Sequence, residues 1–211
     1  MPEILLCRPV EPDYAIHLRL AARHEDLPFG GTDVVELKLP AEDSVLEMAV
    51  SCLGYADWGA VECTCLDCKV PQLKEHITSA VPFETIKQLG DVLTRMPTQN
   101  LPAYKALIAA TECQHVEDAL VLAEQLDEHI LSSAIASPED VAAEELAVSL
   151  SKEDIKLIRP HINLHTYGQA LLASRNSIQT EYGLLERRDG QPIQSIGQQK
   201  QEPRMGEMEL G

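Results

Sequence analysis

The residues best placed by type and spacing to do chemistry are three cysteines in the run Cys63-Thr64-Cys65-Leu66-Asp67-Cys68 and two histidines four positions apart, His161 and His165. Thiolates so spaced can converge on a zinc ion, and histidines one helical turn apart can ligate a metal from one face. Neither set is complete: no second ligand pair follows the cysteines at zinc-site spacing, and no third ligand accompanies the histidines. The run from Ala60 to Leu66 alternates as a strand does, which puts Cys63 and Cys65 on one face as small core residues. The full cysteine set is Cys7, Cys52, Cys63, Cys65, Cys68 and Cys113, expected to be reduced thiols rather than a disulfide framework. No metal or other cofactor is expected.

Carboxylates are the second candidate. Between Glu112 and Asp154 twelve acids stand against one base, Lys152, a local balance of −11 in a chain of net charge −17, so the other 168 residues hold −6. Read as one helix from Val116 to Leu131, the stretch places Glu124 and Glu128 each within about 20° of Glu117. Ala119, Leu122, Ala123, Leu126 and Ile130 then gather on the opposite side. At 1.5 Å per residue the three acids would be roughly 10 and 6 Å apart along the axis, flanked by Asp118 and Asp127, a spacing that resembles a row of phosphates. An acidic stripe opposite an apolar one also describes any solvated helix, so this helix alone does not establish an interface.

Composition excludes several classes. With 211 residues and 45% apolar content the chain can bury a core, and no stretch approaches eighteen consecutive apolar residues. The opening Met-Pro-Glu-Ile-Leu-Leu-Cys-Arg-Pro-Val-Glu-Pro carries acids and prolines where a secretory signal needs a basic end and an apolar run, so a cytoplasmic location is expected. Aromatics are 4% of residues, too few for a base-stacking surface. A pI near 4.7 disfavours nucleic acid and anionic membrane and favours a strongly basic protein partner. The glycine pair Gly30-Gly31 lacks the spacing and lysine of a phosphate cradle, and the serines lack a Gly-x-Ser-x-Gly setting. The carboxylates fall on expected exposed faces, where nothing tunes them for acid–base work, so an enzyme is not expected.

The elements that must position these residues read as an α+β chain. Ile4 to Cys7 and Ala15 to Leu20 suggest paired strands, and His24 to Asp33 a loop. Val34 to Leu39 is the clearest strand, ended by Pro40; a short helix through Val45, Leu46, Ala49, Val50 and Leu53 follows, stopped by Gly54. With the strand from Ala60 to Leu66 this makes a β-α-β unit, and Val70 to His76 suggests a short helix. Helices are then expected over Phe83 to Met96 and Pro102 to Ala110, and behind the capping sequences Ser137-Pro138-Glu139-Asp140 and Ser151-Lys152-Glu153-Asp154. Acids in those first turns also suit the helix dipole without any partner. A terminal strand and turn are read near Ile178 to Glu186. The expected domains are 1–80, mixed α/β; 81–136, helical and acidic; 137–190, a small α+β unit; and 191–211, a disordered tail.

Three stretches together resemble the ArdA-type antirestriction proteins of conjugative elements and plasmids. They are Phe83-Glu-Thr-Ile-Lys-Gln-Leu-Gly-Asp-Val-Leu-Thr-Arg-Met96, the acidic run after Glu112, and His161-Ile-Asn-Leu-His-Thr-Tyr-Gly-Gln-Ala-Leu171. The resemblance spans residues 34 to about 188. It implies an elongated, three-domain homodimer whose carboxylates imitate the phosphates of bent DNA and fill the DNA groove of type I restriction-modification enzymes. The mimic surface would be Glu117, Asp118, Glu124, Asp127, Glu128, Glu139, Asp140, Glu144 and Glu145. Lys87, Arg95, Lys105, Arg159, Arg175, Arg187 and Arg188 dilute the family's pattern, and Gly90 interrupts its first helix. Two other readings stand beside it: an acidic adaptor of a mobile element that binds a basic protein without imitating DNA, and a small hydrolase or metal-dependent enzyme built on the cysteines or the histidine pair.

Overall fold

The computed structural model describes residues 14–22, 34–55, 58–135 and 137–196. The expected strand at Ile4–Cys7, the loop His24–Asp33 and the tail beyond Ile196 lie outside them. The described chain is α+β, with two three-stranded antiparallel sheets. It divides into two compact units, Met1–Arg95 and Met96–Gly211.

In the first unit, period-two alternation sets the sheet. Strand β1 (Ile16–Ala22) buries Ile16, Leu18 and Leu20 and turns His17 and Arg19 outward. Strand β2 (Val34–Leu39) buries Leu37 and Leu39 between exposed Glu36 and Lys38. Strand β3 (Val61–Cys68) buries Val61, Cys63, Cys65 and Cys68, with a register shift opposite His17 and Leu18 that lets Cys68 reach the core after Cys65. The order is β2-β1-β3, β1 antiparallel to both neighbours. The β-α-β unit expected over residues 34 to 66 is therefore split by β1, which pairing partners earlier in the chain supply and local sequence does not reveal.

Helix α1 (Asp43–Cys52) buries Leu46 and Ala49, and Pro71–His76 forms a short helix, of 3₁₀ type. Helix α2 (Phe83–Arg95) buries Ile86, Leu89, Gly90 and Leu93. Gly90 does not interrupt α2. A Cβ there would sit 3.0 Å from the Leu39 Cβ, so the missing side chain lets the helix lie close on β2. That contact joins α2 to the sheet of the first unit.

The second unit holds α3 (Leu101–Ala110), α4 (Val116–Glu124), β4 (His129–Ser132), α5 (Pro138–Ser149), α6 (Lys152–Ile158), α7 (Leu164–Arg175), β5 (Ile178–Thr180) and β6 (Gly183–Arg187). Its sheet order is β4-β6-β5. Helix α3 buries Tyr104, Ala106, Leu107 and Ile108, and the Tyr104 hydroxyl donates to the Ala119 carbonyl at 2.7 Å, fastening α4 to it. Ile135, Val141 and Leu184 form a further core with Leu171 and Leu172 against them. Each such side chain taken from water contributes about 1.5–3 kcal/mol. Gln191–Ile196, read from sequence as the start of a tail, return to this unit: Ile193 to Ile196 are partly buried and the Ile196 amide donates to the Thr111 carbonyl at 3.3 Å.

Candidate anionic interface

Val116, Ala119 and Leu122 fix the orientation of α4 by burial, leaving Glu117 and Glu124 exposed and Asp118 half-buried. Glu117 and Asp118 occupy the first turn, where the helix dipole favours negative charge. The single helix expected from Val116 to Leu131 does not form. Helix α4 ends at Glu124, Leu126–Glu128 make a 3₁₀ turn and His129 begins β4. The cause lies some sixty residues downstream. Ile130 pairs with Glu186 and Leu131 with Leu185, the Arg188 amide donates to the Glu128 carbonyl at 2.8 Å, and Arg188 Nε donates to the Asp127 carbonyl at 2.7 Å. Sheet pairing thus takes the backbone groups that a longer helix would need. Ile130, expected in the core, is 42% exposed, and Glu128 leaves the line of Glu117 and Glu124.

Helix α5 starts as its sequence indicates. Ser137 Oγ accepts from the Asp140 amide at 3.2 Å and donates to Asp140 Oδ2 at 2.8 Å; Ser151 does the same for Asp154 at the start of α6, at 3.2 and 2.7 Å. Helix α7 lies against α5 at Gly168, where a Cβ would fall 1.8 Å from the Pro138 carbonyl oxygen. That close approach brings bases to α5's acids. His165 Nδ1 lies 2.9 Å from Glu139 Oε1, and Arg175 pairs with Glu145, which also accepts from Ser149 Oγ at 3.0 Å. The Glu139 carboxyl is held below the usual range, first by its own backbone N–H and then by His165. His161 and His165, four positions apart, are divided between a 3₁₀ turn at Arg159–His161 and α7.

All nine carboxylates of the expected surface lie in the second unit. Glu139 and Glu145 face bases of α7, and Glu128 lies 3.9 Å from Arg187. Glu117, Glu124, Asp127 and Glu144 make no ion pair among the described residues. Arg175 and Arg187, which in the sequence only dilute the acidic charge, land beside Glu145 and Glu128. Their positions following the acidic run were the available signal, since a base on a neighbouring helix cannot be placed without the packing. His129 was missed altogether. It is 8% exposed, its Nδ1 is 3.0 Å from the Gln125 carbonyl, and with Glu128 and Arg187 it lines a recess of about 250 Å³.

In the first unit Cys63 and Cys65 are buried in β3, as the alternation indicated, and Cys68 is buried through the register shift. Burial pushes the Cys63 thiol up to about 12 and the Cys65 thiol up to about 11, so both stay protonated and poorly nucleophilic at neutral pH. Among the described residues no three His, Cys, Asp or Glu side chains are placed to hold a metal ion, and no helix is long and apolar enough to cross a membrane. Compared with known proteins, the chain matches no protein-family model and no curated protein, which leaves the geometry to carry the functional reading.

Proposed function

We propose that the second unit is a DNA-mimicking inhibitor surface that occupies the DNA-binding groove of a type I restriction-modification enzyme. The observation that carries this is the exposed face of α4: Glu117 and Glu124, seven residues apart and within about 20° of each other round the helix, lie about 10 Å apart along its axis, close to three phosphate steps of one DNA strand. One strand of B-form DNA carries a phosphate about every 3.4 Å. Asp127, in the turn after α4, and Glu144 on α5 add charges with no ion pair among the described residues. Carboxylates so held can displace DNA from a basic groove without offering a bond to cleave. The inhibitor would act as a homodimer in the cytoplasm and catalyse nothing itself.

The reading of an acidic adaptor that binds a basic protein elsewhere keeps one observation in its favour. The pairs Glu139–His165, Glu145–Arg175 and Glu128–Arg187 lower the charge of the remaining surface below that of a DNA backbone. The experiment is a competition between the protein and duplex DNA for a type I methyltransferase, with the triple variant Glu117→Gln/Glu124→Gln/Asp127→Asn. The mimic reading expects mutual exclusion with DNA and binding weakened by about tenfold or more in the triple variant. A ternary complex with DNA would support the adaptor, and full binding by the variant would remove α4 from the interface.

A further inference from the structure

We propose that the pocket between α1 and the start of α2, in the first unit, is a binding site for a small organic cation with a methylated ammonium head. The pocket encloses about 500 Å³, a size that suits a small molecule. Its floor is the buried pair Leu37 and Leu46. Its walls are Tyr55, Trp58 and Phe83, three aromatic side chains in a protein that has five tyrosines, two phenylalanines and one tryptophan. Trp58 and Phe83 are in ring contact, centroids 4.3 Å apart and tilted by 42°.

The charged part of the described lining has one sign. Along α1, Leu46 and Val50 form an apolar row one turn apart, and Glu47 and Ser51 a polar row beside it. Among the described residues of the lining Glu47 is the charged one, and Lys, Arg and His are absent. Val50 and Ser51 belong to the last turn of α1, which contains no base, so the negative end of that helix dipole also lies at the pocket. An anion would be opposed by the carboxylate, the dipole and the faces of the rings. A neutral molecule would use the apolar surface alone. A quaternary ammonium group gains from all three: its diffuse charge is weakly hydrated, it needs no hydrogen-bond acceptor, and aromatic faces attract it. This inference does not depend on the anionic surface of the second unit.

The test compares choline with 3,3-dimethylbutan-1-ol, which has the same shape without the charge, on the full chain. Binding is followed by calorimetry and by the indole N–H resonance of the single tryptophan. Choline is expected to shift that resonance saturably and to bind about tenfold more tightly than the neutral alcohol. Glu47, exposed on α1, can be replaced without disturbing the core. Glu47→Gln should weaken choline about fivefold and Glu47→Lys should abolish its binding, both leaving the alcohol unchanged. Equal affinity for the two compounds, choline affinity unchanged by either variant, or no shift of the indole resonance would each overturn the proposal.

Discussion

Along α4, Glu117 and Glu124 stand exposed without an ion pair among the described residues, whereas along α5 Glu139 meets His165 and Glu145 meets Arg175. Both helices open with acids in their first turns. They differ in what packs beside them. Helix α4 is fastened to α3 by burial and by the Tyr104 hydroxyl, and α3 brings no base to its acids. Helix α5 is approached by α7 so closely at Gly168 that side chains on either side of the contact reach across. Formal charge in a sequence becomes surface field only where the neighbouring helix lacks the opposite sign.

The contrast can be broken most forcefully at the α5–α7 contact. Gly168→Ala places a methyl group against the Pro138 carbonyl and is expected to cost about 3 kcal/mol, read as a lower urea midpoint. An unchanged midpoint would mean that the two helices separate easily and that the acids of α5 are less constrained than those of α4. Tyr104→Phe removes the hydroxyl that holds the Ala119 carbonyl and should cost about 1–1.5 kcal/mol by the same measurement, loosening α4 and leaving the ion pairs of α5 in place. The smallest effect is expected at Glu139. Its carboxyl ionises more readily folded than unfolded, so its contribution is fully present above the ordinary glutamate value of 4.5 and is lost as pH falls through the lower folded value. The difference in thermal midpoint between the wild-type chain and Glu139→Gln should therefore shrink in that acidic window. A difference that persisted there would show that Glu139 acts through something other than its charge.

The strands and helix starts were legible because their signals are local. Alternation in Val34–Leu39 and around Cys63 and Cys65 marked β2 and β3, and Ser137 and Ser151 announced α5 and α6 by their capping partners. The α4 helix was drawn too long because counting at 100° per residue cannot detect that residues 129–132 pair with residues 184–187. Insertion of β1 between β2 and β3 was hidden for the same reason, since a β-α-β pattern looks alike whether its strands are adjacent or split. Among the nine candidate carboxylates, exposure was largely foreseeable and pairing was not. Glu139 and His165 are 26 positions apart, and Glu145 and Arg175 are 30.

Trp58, packed on Phe83, sits in the first unit, and the second contains no tryptophan at all. A denaturation curve followed at tryptophan emission would consequently report the melting of one half of the chain while the half bearing the carboxylates stayed optically silent. Far-ultraviolet dichroism, dominated in the second unit by the five α-helices of its described residues, would supply the other transition. Recorded together, the two signals would tell whether the halves unfold as one cooperative block or in separate steps.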